Sequence, residues 1–417
     1  MKGSVQKVDI ERMVAGGDGL ARLGDRAVFV PSALPGERVL VELTERKRDY
    51  LRGRVVEILE GSPYRVDPPC VYYGKCGGCN LQHLVYAQQL REKVGITLEV
   101  FRRIAGMIIP EPEIEPSPPF GYRNRIQLHW DSRGRLGMMR RSSRDLVLIK
   151  ECPICVPPIN SLLSGTVPFG PPAAGNPGRC TVFSSGEVFS PGEQVSSPGE
   201  ESSPEGRCAV EGRGETVGVR ILDREILLSP AHFFQSNLTV LPELVRYVSG
   251  STSVKLTGGT VLDLYCGVGL FGSFFAEPCA MPCAMPGTAY SPLPFEKVIG
   301  VDQDPGALLL ARRNVPGEGH LFLQRDLNEP WPLQTPELDG VGAVVVDPPR
   351  SGLSPQVREL ILRMRPECLT YVSCDVATLA RDVRLLCADA YSMKSLRLFD
   401  FYPQSAHIEA VAHLAPK

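Results

Sequence analysis

Two segments of the 417-residue chain place reactive side chains directly after apolar runs. In VVVDPPRSGL the run ends at Asp347, and in YVSCDVATLARD it ends at Cys374. A helix is predicted to begin near Asp375, and the dipole and free N–H groups of a helix N-terminus favour a thiolate. A buried, inert cysteine is the usual state at a strand end, but the rigid Asp-Pro-Pro-Arg loop favours a shaped site with a nucleophile.

A glycine-rich turn predicts a nucleotide-type pocket. VLDLYCGVGLF places Gly267 and Gly269 between a buried strand and a helix, where glycine allows positive φ and close approach of a ligand. The next strand, in VIGVDQD, ends at Asp302, an acid suited to the two ribose hydroxyls of an adenosine. The third glycine of the dinucleotide fingerprint is missing, which argues against a dehydrogenase.

The 13 cysteines are better explained by metal binding or catalysis than by disulfides, because the chain shows no signal peptide. PPCVYYGKCGGCNLQH places Cys70, Cys76 and Cys79 at the spacing C-x5-C-x2-C, which needs a fourth ligand from elsewhere. The repeat PCAMPCAMPG, from Pro278, is interpreted as a duplicated surface loop rather than a metal site, and it explains why Asp302 lies so far beyond the glycine turn. Structural or incidental roles are expected for Cys180, Cys208, Cys266, Cys368 and Cys387.

The elements that must position these residues fall into three regions. Residues 1–60 alternate short apolar runs with Gly and Pro turns, which is typical of a small β-barrel. Residues 61–230 hold the cysteines and further strands, and their Pro/Gly/Ser-rich stretch at about 164–214 is expected to be flexible. In residues 231–417 the runs TVLDLYC, KVIGVD and VGAVVVDPP alternate with helix-like stretches. This pattern predicts a doubly wound α/β domain whose parallel sheet binds ligands at its carboxyl edge.

Charge and hydropathy point to a nucleic-acid-facing protein. The net charge is −2, but residues 121–150 hold eight Lys or Arg against two acids, which suggests a phosphate-facing surface. A solvated charged face is the alternative. Because no run of eighteen apolar residues occurs, we expect a cytoplasmic protein without membrane contact. We also expect a monomer.

Several motifs together resemble the RNA uracil-C5 methyltransferases, and they occur in that family's order: FFQSN, DLYCGVG, DPPRSGL, SCDVATLARD and the ending FDFYPQSAHIEAV. The resemblance implies a Rossmann-like class I fold that uses S-adenosylmethionine. It also implies that Cys374 is the nucleophile and Glu409 the base. The implied cofactor or substrate pocket comprises Gln235, Tyr265, Gly267, Gly269, Asp302, Asp326 and Asp347, with Asp263 supporting the glycine turn.

The same resemblance completes the cysteine site. KECPICVPPI offers both Cys152 and Cys155 as the fourth ligand. Cys152 is followed by Pro153 and an apolar residue, which matches the family's fourth ligand to a [4Fe–4S] cluster. Zinc remains the alternative, since four cysteines also suit that ion.

The front of the chain resembles the family's RNA-binding TRAM domain, notably in GDGLARLGDRAVFVPSALPGE. Arg123 and Arg125 would add cationic contacts beside the cluster. The expected substrate is 23S ribosomal RNA rather than transfer RNA. The competing hypothesis is a non-catalytic RNA-binding or iron–sulfur sensor protein, against which the presence of both Cys374 and Glu409 speaks.

Overall fold

The structure is a computed structural model that describes residues 3–166, 178–184, 187–189, 208–252, 259–277, 295–332 and 335–417. The PCAMPCAMPG repeat lies outside the described residues. Residues 167–177 and 190–207 of the stretch that we expect to be flexible also lie outside them.

The N-terminal strands form a β-barrel around one apolar core, as the alternating pattern predicts. Their order is β1-β5-β6-β4-β3-β2. Side chains such as Val8, Val28 and Val41 fill the core, because residues two apart in a strand face the same side. The strands are β1 (Val5–Asp9), β2 (Arg12–Met13), β3 (Gly19–Leu23), β4 (Arg26–Val30), β5 (Arg38–Arg46) and β6 (Tyr50–Glu60).

A helix with an unusually polar buried face follows the cysteine segment. This helix, α1 (Tyr86–Val100), buries Gln89, Lys93 and Thr97 and continues into a π-helical turn, Phe101–Ala105. The short strand β7 (Glu113–Glu115) comes next. Buried polar groups need partners, so the buried face of α1 must contact other polar groups.

The central sheet has the order β10-β9-β8-β11-β13. Residues 178–184 and 208–210 form two of its strands, so the prediction of a flexible stretch is wrong for them. Cys180 and Val182 alternate into an apolar core shared with Ile126 and Leu128, which orders the strand. The elements are β8 (Arg125–Trp130), β9 (Leu136–Met139), β10 (Leu146–Leu148), α2 (Pro157–Ser164), β11 (Gly178–Ser184), β12 (Glu187–Phe189) and β13 (Cys208–Val210).

The C-terminal part confirms the predicted doubly wound α/β class. A hairpin of β14 (Thr216–Ile221) and β15 (Arg224–Leu228), extended by β12, packs on its core. The remaining elements are α3 (Leu241–Thr252), β16 (Thr260–Leu264), α4 (Leu270–Ala276), β17 (Lys297–Asp302), α5 (Pro305–Asn314), β18 (Leu321–Gln324), a 3-10 turn (Pro336–Leu338), β19 (Val341–Val346), α6 (Pro355–Met364), β20 (Cys368–Ser373), α7 (Val376–Asp389), β21 (Tyr391–Phe399) and β22 (Glu409–Pro416).

One eight-stranded sheet organises this part, in the order β18-β17-β16-β19-β20-β22-β21-β7. Strands β16 to β20 run parallel, and β22 is antiparallel to its neighbours. Alternate residues of the continuous apolar strands, such as Val261 and Leu262, enter separate cores on the two faces. β7 pairs with β21, so the central region contributes a strand to this sheet.

None of the helices in the described residues is long and apolar enough to cross a membrane.

Candidate active site

A cavity of about 530 Å³ lies at the carboxyl edge of the parallel strands. Residues that follow β16, β17, β18, β19 and β20 meet there, because parallel strands end at the same edge of a sheet. Gly269 is the N-cap residue of α4 and does not line the cavity. The predicted site residues that line the cavity are Gln235, Tyr265, Gly267, Asp302, Asp326, Asp347, Cys374 and Glu409.

The sheet register brings Cys374 and Glu409 together. β20 pairs with β22 so that Ser373 lies opposite Ala410. One position further, Cys374 and Glu409 fall at neighbouring places on the two strands. Glu409 is 1% exposed, and in the described part of the chain its Oε1 has no hydrogen-bond partner. An unpaired buried oxygen is costly, which indicates that it is kept for a ligand or a proton.

The Cys374 thiol keeps its proton at neutral pH. Burial and the carboxyls of Glu409 and Asp347 raise its pKa to about 12. The expectation that the helix N-terminus favours a thiolate is therefore wrong for the free protein. Asp375 caps α7 itself, because its Oδ1 accepts the N–H groups of the first turn at 3.0 and 2.9 Å. The sulfur does not receive these donors.

Three carboxyls at this edge of the sheet bind protons more tightly than free carboxyls do. Burial raises the pKa of Asp347 to about 7. Burial, followed by Asp347, raises the pKa of Glu409 well above its usual value. Asp263 lies beneath the glycine turn, where burial and Asp347 raise its pKa to about 8. A carboxylate with a raised pKa is a stronger base, which suits proton abstraction near neutral pH.

Asp302 fixes the glycine turn. Its Oδ2 accepts the backbone N–H of Gly267 at 2.9 Å. Tyr265, with φ of 63°, holds a left-handed conformation that is strained for its residue type. Gly269 has φ of 80°, and a Cβ there would lie 3.0 Å from the Cβ of Ala311. The turn therefore requires glycine at this position, both for its conformation and for its packing against α5.

Gln235 and Asp326 approach the cavity from other segments. Gln235 is 4% exposed, and its Oε1 finds no hydrogen-bond partner among the described residues. Asp326 is exposed and is oriented by Asn328, whose backbone N–H and side-chain amide donate to its Oδ1 at 2.8 and 2.9 Å. Both side chains can thus offer an oxygen to a bound molecule.

Asp382 holds the loop after β19, a role that sequence reasoning missed. This fully buried carboxylate accepts the N–H of Leu353 at 2.9 Å, and the neighbouring Arg381 donates to the carbonyl of Ser351 at 2.9 Å. Gly352 has φ of 75°, and a Cβ there would lie 2.5 Å from Asp382 Oδ2. The motif SCDVATLARD contains Asp382, but only the fold shows that it faces the other motif.

Two aromatic residues of the cavity were also missed. Phe233 is 64% exposed at the cavity wall, with the guanidinium of Arg125 5.7 Å from its ring centroid. Tyr402 lines the cavity with Cys374 and Glu409. Both residues stand inside recognised motifs, FFQSN and FDFYPQ, which was the available signal.

The predicted metal ligands meet at a second, smaller cavity of about 20 Å³. Cys70, Cys76, Cys79 and Cys152 all line it, whereas Cys155 does not. Cys155 is buried and forms a hydrogen bond with Cys152. In the described residues no three ligating side chains are arranged to hold a single metal ion.

The cysteines of this cavity differ in acidity. Hydrogen bonding with Cys155 lowers the pKa of Cys152 to about 7, opposed by its burial. Burial raises the pKa of Cys70 and Cys76, and it raises the pKa of Cys79 to about 12. Binding of a metal or cluster by these thiols would therefore release protons.

Known proteins match this chain at both ends and along its length. The TRAM domain model matches residues 1–56, and the tRNA (Uracil-5-)-methyltransferase model matches residues 337–417. An RNA methyltransferase of Aquifex aeolicus is 30% identical and covers 100% of both chains. The 23S rRNA (uracil(1939)-C(5))-methyltransferase RlmD of Pseudomonas putida is 30% identical over 98% of this chain and 93% of its own length.

A solved structure shares the fold over nearly the whole molecule. It is the tRNA (uracil-54, C5)-methyltransferase of Pyrococcus abyssi in complex with S-adenosyl-L-homocysteine. The TM-score is 0.67 at 25% identity, with 98% of this chain and 100% of that chain covered. The family resemblance seen in the motifs is thereby confirmed: the chain belongs to the RNA (uracil-5-)-methyltransferases, with a TRAM domain at its front.

Proposed function

We propose that this enzyme methylates carbon 5 of one uridine in 23S rRNA through a covalent adduct between Cys374 and carbon 6 of the base. The observation that carries the proposal is the placement of a thiol and a buried carboxyl, Glu409, at adjoining strand ends on one cavity. One planar ring can then meet both groups. The target base must leave its stack to enter, which favours a uridine in a loop.

The glycine-turn side of the cavity would hold S-adenosylmethionine, which supplies the methyl group. Asp302 and the turn at Gly267 suit the ribose and the amino-acid part, while Asp326 suits the adenine. The unpaired Oε1 of Gln235 gives the ligand one more acceptor. The Pyrococcus abyssi enzyme was solved with the demethylated product of this cofactor, which supports the assignment.

The proposed chemistry begins at Cys374. Its proton passes to the neighbouring carboxyls and then to solvent, and the sulfur bonds to carbon 6 of uracil. The electrons of the C5–C6 double bond then form an enolate, so carbon 5 becomes nucleophilic and would take the methyl group from the sulfonium of S-adenosylmethionine, which would leave as neutral S-adenosylhomocysteine. Glu409 removes the remaining proton from carbon 5, the C6–S bond breaks, and the double bond re-forms.

The four cysteines would hold a [4Fe–4S] cluster. All four line one cavity, and the motif order that matches the family supports a cluster, with zinc as the alternative for the same four thiols. A bound cluster would cross-link the segment around Cys76 to the segment around Cys152 and so rigidify the RNA-binding front. Anaerobically purified protein should be brown and contain iron; colourless protein with stoichiometric zinc would refute this part.

The RNA-binding surface would run from the barrel to the cavity. Arg52 packs over the rings of Phe29 and Tyr50 on the barrel, and Arg125 packs over Phe233 beside the cavity. Such cation and aromatic surfaces suit phosphates and unstacked bases. We prefer 23S rRNA because the named bacterial relatives act on it. Mapping 5-methyluridine in ribosomal and transfer RNA with and without the gene decides between the two substrates.

A fluorinated RNA tests the covalent step. With 5-fluorouridine at the target position, carbon 5 carries no removable proton after methylation, so the adduct accumulates. The unaltered protein should give an RNA adduct that survives denaturing electrophoresis, and Cys374→Ala should give none. Cys387→Ala, a change in a half-buried cysteine of α7, is the matched control and should behave like the unaltered protein. Adduct formation by Cys374→Ala would refute the mechanism.

A further inference from the structure

The loop between β21 and β22 is held in place from outside itself. Five consecutive backbone carbonyls, from Asp400 to Gln404, each accept a hydrogen bond from another part of the chain. The donors, in order, are Ser117 Oγ (2.9 Å), Asn237 Nδ2 (3.2 Å), Lys93 Nζ (3.2 Å), Tyr122 Oη (2.9 Å) and the backbone N–H groups of Asn80 and Leu81 (3.0 Å each). A loop whose first five residues are all fixed in this way is built for position rather than for movement.

The centre of this arrangement is a fully buried ion pair. Lys93 Nζ lies 2.6 Å from Asp400 Oδ1, and neither side chain is exposed. Tyr86 donates to the other carboxylate oxygen at 3.0 Å. Buried ion pairs contribute little to stability compared with apolar residues of similar volume, so their retention needs another reason. The pair joins the polar face of α1 to the loop, and Lys93 also binds the carbonyl of Tyr402.

The side chain that this loop presents to the cavity is Tyr402. It lies close enough to Glu409 and Cys374 for their charges to act on its hydroxyl. Its ring packs at a steep angle on His407, with the ring centroids 6.0 Å apart, and next to Phe401 at 6.4 Å. A rigid aromatic ring therefore stands beside both groups that must reach adjacent atoms of one uracil.

We propose that Tyr402 is a further catalytic residue, a wall against which the uracil ring lies, and that Lys93 is the residue that positions it. This inference rests on the proposed function. Cys374 must reach carbon 6 while Glu409 reaches carbon 5, so the plane of the base has to be fixed. Small errors in the placement of reacting atoms cost large factors in rate.

A double-mutant cycle tests the proposal. Tyr402→Leu should lower kcat by about 100-fold, with the KM for S-adenosylmethionine changed less than about twofold, while Tyr402→Phe keeps the ring and stays within about threefold. Lys93→Met alone should lower kcat about tenfold. Added to Tyr402→Leu, it should lower kcat by less than a further twofold, because Lys93 acts only through the Tyr402 side chain. Lys394→Met, an exposed lysine of β21, is the matched control and should change neither constant.

Three outcomes would overturn the inference. They are a cycle in which the two factors multiply, a Tyr402→Leu variant with normal kcat, and a Tyr402→Phe variant as slow as Tyr402→Leu. Each of these outcomes counts against the inference only if the unaltered protein forms 5-methyluridine. If the unaltered protein forms none, the proposed function is overturned instead.

The variant Lys93→Met, Asp400→Leu guards against simple misfolding. It replaces the buried pair by apolar groups, so its thermal midpoint should be higher than that of Lys93→Met alone, which leaves the Asp400 carboxylate buried without its partner. Its kcat should stay low. Recovery of kcat together with stability would show that the pair serves folding alone and would sink the positioning role.

Discussion

The methyl-transfer cavity and the cysteine cavity collect their residues in different ways. The first takes residues from the ends of neighbouring strands, so the sheet itself sets their spacing, and it stays open at about 530 Å³. The second takes Cys70, Cys76, Cys79 and Cys152 from loops and bridges outside the named strands, around only about 20 Å³. A site on strand ends is positioned by the core of the sheet, whereas a site on loops depends on what the loops bind.

This difference separates the two sites experimentally. Changes at the first cavity should affect chemistry and leave iron content unchanged. If the second holds the proposed cluster, changes there should remove iron and loosen the RNA-binding front, while cofactor binding at the glycine turn persists.

The largest effect is expected from Glu409→Gln. The amide keeps the shape of the side chain but cannot take the carbon 5 proton, so multiple turnover should fall by at least about 10³-fold. Because addition and methylation precede the lost step, ordinary uridine RNA should now give a stable adduct, with normal iron content. Glu367→Gln, at an exposed acid just before β20, is the control. Rapid turnover by Glu409→Gln would remove this residue from the mechanism.

A smaller loss is expected from Cys79→Ser. The serine removes one cluster ligand, so iron content and RNA affinity should fall together, the latter by about 10- to 100-fold. The Kd for S-adenosylmethionine, measured by calorimetry, should stay within about twofold. Cys387→Ser controls for cysteine loss as such. A large drop in cofactor affinity would show that the two cavities are not independent.

Adduct formation should depend steeply on pH. With the pKa of the Cys374 thiol raised to about 12, the thiolate fraction rises about tenfold for each pH unit below that value. The raised pKa of Glu409 bears on multiple turnover instead, because its proton abstraction follows adduct formation. The rate of single-turnover adduct formation on 5-fluorouridine RNA should therefore rise from pH 6 to pH 8. A flat profile would mean that bound RNA lowers the thiol pKa, as the helix N-terminus suggested.

The smallest effect concerns Gly269→Ala. Both the positive φ and the 3.0 Å approach to Ala311 oppose a methyl group there, so we expect a loss of about 1–3 kcal/mol in unfolding free energy and a several-fold weaker cofactor affinity. Gly319→Ala is the matched control, since that glycine has φ of 88° but nothing within 4 Å of the added carbon. Equal losses in urea unfolding would show that packing against α5 plays no part.

Much of the fold could be predicted from the sequence because the patterns that indicate it lie within short segments. Apolar runs ending in Asp or Cys identified the parallel strands, since strands covered on both faces must be apolar throughout. The prediction of flexibility from Pro, Gly and Ser content was wrong for residues 178–184, which form a strand. Its order comes from Cys180 and Val182 packing against β8, which is a long-range contact.

The candidate site divides in the same way. Motifs predicted roles for Cys374 and Glu409, but not that Tyr402 lines the same cavity or that Asp382 fixes the loop after β19. Both missed roles depend on contacts between segments far apart in the chain, such as the one between Lys93 and Asp400. No local pattern distinguishes a lysine that reaches a buried partner from one that reaches water.

The sequence by itself determined the residue types of the chemistry and the family to which the chain belongs. Thiol, carboxyls, glycine turn and cysteine spacing are all properties of short segments. Only the tertiary structure decided the acidity of Cys374, because a pKa depends on burial and on charges that the fold brings near. It also decided the geometry of the cavity, because the register between β20 and β22 and the anchored loop before β22 exist only once the sheet has formed.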